Sequence, residues 1–407
     1  LIQEKHFKLD LSDYIIMGEL ALDGSIMAVS SVLPASIYAD KLNKGIICPW
    51  ENRLEAKISK NKKILAIKHL NEIIKYLNGD SVPEKITDSF HVEKENLLDM
   101  KDVKGQDSAK RAMEIAAAGG HNIILQGPPG TGKSMLAKRM PSIMPELKRQ
   151  EILEINLITS ITGKFKDTIY TTRPFREPHH SCSTASIVGG GKFAEPGEIT
   201  LAHNGILFLD ELPEFSRQVL EALRQPIESR EITISRVNAK VTYPANFQFV
   251  AAMNPCRCGY LGSNSGKECK YNQKCGAEYK NKISGPILDR IDIFVQVSNI
   301  DIFSLYEKQE ESSSEIKIRV IKARDIQLDR YKDEKFSLNA HMSNSAMEKF
   351  VNLDEETIDF LKKALKSSYI SMRGYNRILK VARTIADLEN SEAIKKKHVT
   401  ESLYYKM

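Results

Sequence analysis

Eight consecutive residues carry the most specific chemistry in the chain: Gly127, Pro128, Pro129, Gly130, Thr131, Gly132, Lys133 and Ser134. They satisfy the pattern G-x-x-x-x-G-K-[ST], directly after an apolar run at 122–126 and before a stretch that reads as helix, which is the setting the pattern requires. Glycines here let backbone N–H groups close around phosphate oxygens with no side chain in the way. The positive end of the following helix adds to that attraction. Lys133 is placed to reach the β- and γ-phosphates of ATP, and the Ser134 hydroxyl to ligate Mg²⁺.

Asp210 and Glu211 follow a second apolar run, Ile206-Leu207-Phe208-Leu209. A buried strand that delivers a carboxylate to its C-terminal edge puts it where open α/β sheets bind ligands. Asp210 is expected to orient the Mg²⁺ or its water. Glu211 is expected to polarise the attacking water as a general base. Asn254 ends a third apolar run, where its amide can hold that water or the γ-phosphate; an Asn before Pro255 is equally a turn former. Arg290 lies between Asp289 and Asp292. It reads either as one side of a structural ion pair or as an arginine finger for a neighbouring subunit's ATP, and spacing does not choose.

Four of the six cysteines, Cys256, Cys258, Cys269 and Cys275, fall within one short loop. Four thiolates can enclose a tetrahedral Zn²⁺, and a polar loop with little core of its own gains from such a staple. Four free thiols on a surface loop are the competing reading. Lys267, Lys270, Lys274, Lys280 and Lys282 can touch a phosphate backbone or form a solvated face. Tyr260, Tyr271 and Tyr279 can stack on bases or pack over the loop. His179 and His180 lack a partner acid at helical spacing and read as structural or contact residues.

The elements that must position these groups are legible in outline. Runs at 122–126, 206–209 and 247–252 read as buried strands separated by helices, which argues for a parallel sheet covered on both faces. Residues 216–224 read as a helix with Val219, Leu220 and Leu223 on one side, and 231–243 as a β-hairpin. Residues 1–80 read as a small α/β unit, with strands at 14–17, 26–29 and 45–49 and a helix after Pro34. Residues 81–101, charged and carrying a Pro, read as a linker. Residues 102–300 form the α/β core, and 301–407 a helical domain in which Ser312-Ser313-Ser314 is a break or helix cap.

With 407 residues, 42% hydrophobic and 28% charged, the chain has the composition of a globular protein of two or three domains. Its net charge of +6 is too small to imply a nucleic-acid partner by itself. No apolar run is long enough for a membrane span. No positively charged leader with an apolar stretch is seen in these residues, so a cytoplasmic, reducing setting is expected, in which clustered cysteines favour metal over disulfide. The chain opens on Leu1 in what reads as the middle of a domain, so a piece of a longer protein is expected.

These sites, together with the stretches 172–180, 187–191, 196–215, 254–259, 284–292 and 373–386, resemble the AAA+ superfamily, its magnesium-chelatase-like branch, and in particular the YifB/ComM family. The likeness runs from about Gly18 to the end. It implies an ATP hydrolase whose helical domain is a lid. Arg290 would be a finger acting across a subunit interface, and Arg373 or Arg377 a second sensor closing the lid on the γ-phosphate. It implies a homo-oligomeric, hexameric ring whose inserts at 181–191 and 231–243 face a central pore. Residues 1–80 resemble the end of a Lon-protease-type domain. The stretch 31–34 that would hold a catalytic lysine has none, so proteolysis is not expected.

In ComM-like members the ring works on DNA as a branch-migration helicase in recombination and natural transformation, with recombination proteins as partners. A magnesium-chelatase-type ATPase subunit and a protein-remodelling ring are the competing functions, because one engine serves all three and fold does not fix function.

Overall fold

The protein is described by a computed structural model covering residues 11–80, 86, 91–93, 97–165, 168–191, 194–236, 239–261, 269, 272–299, 310–366 and 371–406. It divides into two compact units, Leu1–Glu95 with Leu147–Thr172, and Asn96–Glu146 with Arg173–Met407.

In the first unit the wholly buried strand Gly45–Pro49 lies between the parallel strands Tyr14–Ile16 and Ile64–Ile67. The strand expected at 26–29 is shorter, Ile26–Met27, and pairs with Glu19–Leu20 across a turn closed by the Asp23 carboxylate, which accepts from Ser25 N and Oγ. Division by sequence order misses one segment. The helix Arg149–Ile161 lies within the 102–300 stretch yet belongs with the N-terminal residues. The reason is polar as well as apolar: the buried Glu55 carboxylate accepts from Leu33 N (3.0 Å), from Asn52 Nδ2 (2.7 Å) and from the Ser160 hydroxyl. A buried carboxylate needs several such donors, and Ser160 supplies one from that helix.

The second unit is built on a five-stranded parallel sheet in the order Ile293–Gln296, Ile123–Gln126, Gln248–Met253, Ile206–Leu209, Phe175–Arg176. The three expected strands sit side by side in its centre, fully buried. Their unbroken apolar runs follow from helices covering both faces. The helix Asp107–Gly119 covers the sheet with Ala109, Ala112, Ala116, Ala117 and Ala118, all fully buried. Such small side chains let two C-terminal helices, Ser313–Arg330 and Met372–Leu388, pack closely against it. Ile316, Val320, Val381 and Ile385 therefore lie in one hydrophobic cluster with the sheet residues. A boundary at residue 300 runs through that cluster, while Tyr331, Met342, Leu361, Ile378, Leu379, Ile394 and Val399 form a second core within the helical region itself. The C-terminus also covers the sheet's outer strand, Phe294 N donating to Tyr405 O at 2.8 Å.

The end of the expected linker is likewise part of the core. Met100 is fully buried, and its N–H donates to the Ser313 hydroxyl at 2.7 Å. Ser312 does cap the following helix, in a capping box with Glu315. The hairpin forms as Glu231–Arg236 paired with Ala239–Pro244; the two residues between lie outside the described residues. The strand Gly189–Gly190 of the other insert packs beside it, and the helix Thr184–Val188 that leads into that strand packs on the helix Arg217–Ser229. A Cβ at Gly189 would come within 2.6 Å of Ile234 Cδ1. Among the described residues no helix is long and apolar enough to cross a membrane.

Replacing Ser312 by Ala removes the cap at the point where the helical region joins the sheet. The expected loss is about 1 kcal/mol, read as a lower midpoint in thermal or urea denaturation.

Candidate active site

The strand Ile123–Gln126 and the helix Lys133–Ile143 flank the phosphate loop, as the sequence pattern requires. Gly130 and Gly132 adopt positive φ, +80° and +88°, and open space lies where a Cβ would stand. They leave a hollow lined by backbone. Gly127 is needed for close approach: a Cβ there would sit 2.1 Å from Val297 O. Thr131 Oγ1 closes the loop on Pro128 O at 2.9 Å.

Lys133 is 8% exposed. Its ammonium donates to Gly127 O (2.8 Å), Pro128 O (2.7 Å) and Asn254 Oδ1 (3.1 Å). Burial pushes its pKa down, while Asp210 and Glu211 pull it up. Those three oxygens stand where phosphate oxygens would satisfy the same donors. Ser134 Oγ donates to Asp210 Oδ2 at 2.6 Å, so the hydroxyl and carboxylate expected to share a Mg²⁺ already converge. Asp210 Oδ1 accepts from Glu211 N at 2.9 Å. Glu211 itself takes a left-handed backbone, φ 52° and ψ 47°, which turns its exposed carboxylate out at the sheet edge. Such a conformation in a non-glycine residue stores strain of a kind common at functional sites.

The loop has a supporting residue that sequence reasoning missed. Gln106, also left-handed at φ 59°, donates from Nε2 to Thr131 O (3.1 Å) and Ser298 O (2.7 Å). Its only signal in the sequence is a polar residue before an alanine-rich helix. His180, read as a structural or contact residue, lies with Nδ1 3.8 Å from Glu211 Oε2. It is stacked on His179 with ring centroids 4.1 Å apart.

Arg290, Arg373 and Arg377 do not join this group. They line a separate cavity of about 500 Å³ together with Asn122, Asp289 and Asp292. Asn122 precedes the strand whose other end carries the phosphate loop. Four strand residues separate the two edges by about 13 Å. Arg373 and Arg377, expected as a second sensor, thus lie at the edge of the sheet opposite the phosphate loop of the same chain. Arg377 Nη1 donates to Leu288 O (3.0 Å) and Ile291 O (2.5 Å); Arg373 is 68% exposed, 3.9 Å from Asp289. Arg290 pairs with Glu228 and donates to Pro286 O at 2.6 Å, so the structural ion pair is present.

The sulfur atoms of Cys256, Cys258, Cys269 and Cys275 all lie within 4.8 Å of one another, with Cys256 and Cys258 at 3.2 Å. A tetrahedron of thiolates around Zn²⁺, with Zn–S near 2.3 Å, has edges of about 3.8 Å, so the donor set fits. This group adjoins the phosphate loop: Gly259, at φ +84°, is so close to Pro129 that a Cβ would meet its ring at 2.7 Å. Tyr279 is packed, 4% exposed, with Lys282 over its ring; it offers no face to a base. Lys267, Lys270 and Tyr271 lie outside the described residues. Cys48 is buried, which pushes its thiol up to about 12.

Residues 99–305 match the family model "Magnesium chelatase, subunit ChlI", and residues 310–406 its C-terminal counterpart. The chain is 41% identical to the competence protein ComM of Haemophilus influenzae over 407 residues, covering 97% of this chain and 78% of the relative. It is also 41% identical to the uncharacterized protein YifB of Escherichia coli, with the same coverage. The 38 kDa subunit of magnesium chelatase from Rhodobacter capsulatus is 25% identical over 171 residues, 38% of this chain.

Two substitutions separate the roles of the loop and the carboxylate. Lys133→Ala is expected to abolish measurable ATP binding in a fluorescent-nucleotide titration. Glu211→Gln is expected to bind ATP with near-parent affinity while turnover falls by roughly 10²–10⁴-fold; normal turnover would remove Glu211 from the chemistry.

Proposed function

Because the chain belongs to the ComM and YifB family of magnesium-chelatase-like AAA+ ATPases, we propose that it is a DNA-remodelling motor, a hexameric ring that couples ATP hydrolysis to branch migration. The observation that carries this reading is the division of the candidate site between two edges of the sheet. Lys133, Ser134, Asp210, Glu211 and Asn254 gather at one edge, while Arg290, Arg373 and Arg377 line a cavity at the other. Two unlike surfaces of one chain that complete each other form a heterologous contact, and a heterologous contact that closes generates a ring.

In that ring Lys133 exchanges its three protein oxygens for phosphate oxygens, and the ammonium stays buried and satisfied. Ser134 and Asp210 hold Mg²⁺, which when bound neutralises charge on the phosphates. Glu211 takes the proton of the attacking water, and Asn254 orients that water from the neighbouring strand. Arg290 reaches in from the next copy to stabilise charge developing on the phosphoryl oxygens, and Arg373 or Arg377 senses the same nucleotide from that side. The insert at 181–191 and the hairpin face the pore and transmit the change to DNA. The hairpin gives the better physical case, being a paired, exposed ribbon anchored by buried Ile232 and Ile234.

Weight falls on DNA rather than on metal insertion because the likeness to a competence protein spans 97% of the chain, against 38% for the chelatase subunit. The setting is the cytoplasm, with recombination proteins as partners. Cys256, Cys258, Cys269 and Cys275 would hold a structural Zn²⁺ that ties their sulfurs together beside the phosphate loop.

Steady-state ATPase measured with and without single-stranded and forked DNA, with Glu211→Gln as the blank, tests the motor. Stimulation by DNA is expected; an assembled ring that ignores DNA would move the reading to chelation or protein remodelling. For the metal, elemental analysis of purified protein should return one Zn²⁺ per chain, and its absence would discard the site.

A further inference from the structure

The cavity at the far edge of the sheet contains a cation that the reading above does not use. Five cationic side chains line it, Arg230, Arg290, Arg373, Arg377 and Lys380, against three carboxylates, Glu228, Asp289 and Asp292. Four of the five have a partner: Arg290 has Glu228, Arg373 and Arg377 have Asp289, and Lys380 Nζ donates to Ala340 O at 3.0 Å. For the half-buried Arg230 guanidinium no partner is found among the described residues. Burial alone pushes its pKa down, with no carboxylate pulling the other way. The neighbouring Nε atoms of Arg290 and Arg377 are buried and also without partners. A concave site with surplus positive charge and unmet donors is built for an anion of high charge.

The backbone at Arg230 points the same way. It is the C-cap of the helix Arg217–Ser229, at φ 58° and ψ 26°. That position favours glycine, which adopts the left-handed region without a Cβ penalty. An arginine held there at a cost in stability, with its guanidinium unpaired inside a cationic cavity, is best accounted for by what it binds.

We propose that Arg230 is a further ligand for the terminal phosphates of ATP held by the phosphate loop of a second copy of this chain, acting beside Arg290. This assignment rests on the ring reading above. It places two guanidinium groups on the incoming edge: Arg290, braced by Glu228 and Pro286 O, and Arg230, free to move onto the phosphates.

Arg230→Gly tests it, because glycine relieves the backbone strain while removing the guanidinium. The variant is expected to melt no lower than the parent and to lose ATP turnover by roughly 10²-fold. Mixed with Lys133→Ala, whose own phosphate loop is disabled but whose Arg230 is intact, it should turn over more ATP than either variant alone. Parent-like turnover would overturn the assignment. So would a lower melting temperature combined with a loss that mixing does not restore. Arg290→Ala mixed with Lys133→Ala runs alongside. If that mixture regains activity and the Arg230→Gly mixture does not, only the role of Arg230 falls. If neither does, the ring reading falls and takes Arg230 with it.

Discussion

The ammonium of Lys133 is almost removed from water and is met by two loop carbonyls and the amide oxygen of Asn254. A buried charge is tolerated only when its donors are satisfied, and each of its acceptors makes a demand on the fold. Gly127 O and Pro128 O face it because the loop closes tightly, with no Cβ on Gly127 to meet Val297 O and with Gly130 and Gly132 at positive φ. Asn254 arrives from the adjacent strand, in register because Gln248–Met253 pairs directly with Ile123–Gln126. Asp210 comes from the strand beyond that one. In the proposed function phosphate oxygens take the place of these protein oxygens, and the charge stays satisfied in both states.

The sheet order follows from the same requirement. With the loop strand between Ile293–Gln296 and Gln248–Met253, connections from the two sides leave toward opposite faces, and the crevice opens at the C-terminal edge. The amino edge of the same sheet is where Asn122, Asp292 and the helix end at Arg230 come together. Basic residues from the C-terminal helix gather there because Met372–Leu388 packs on the alanine-rich helix rather than beside the phosphate loop. Packing of apolar surfaces thus decides which edge each arginine can serve.

The cysteine group and the buried Glu55 show the same economy. Cys256 follows Asn254 by two residues and Gly259 rests on Pro129, so whatever holds the four sulfurs together also steadies one wall of the phosphate loop. Glu55, satisfied in part from the helix Arg149–Ile161, draws a segment from the middle of the chain into the N-terminal unit. The clustering of the cysteines is visible in the sequence, but the contacts of Gly259 with Pro129 and of Glu55 with Ser160 are not, since each joins residues far apart in the chain.

The chemistry of the phosphate loop, the Asp210–Glu211 pair and the parallel character of the central strands were determined by the sequence alone. Each rests on neighbours in the chain: glycines beside a lysine, a carboxylate at the end of an apolar run. The hairpin and the Ser312 cap were legible for the same reason, being local hydrogen-bonding patterns. Tertiary structure decided what depends on distance through space. It brought Asn254 to Lys133, Gln106 to the loop and the four sulfurs to one point, and it put Met100 into the core. It also set Arg290, Arg373 and Arg377 at the opposite edge from the loop. The reason is geometric: one-dimensional spacing says which groups are present, but only the order of strands and the packing of helices says which edge of the sheet they occupy.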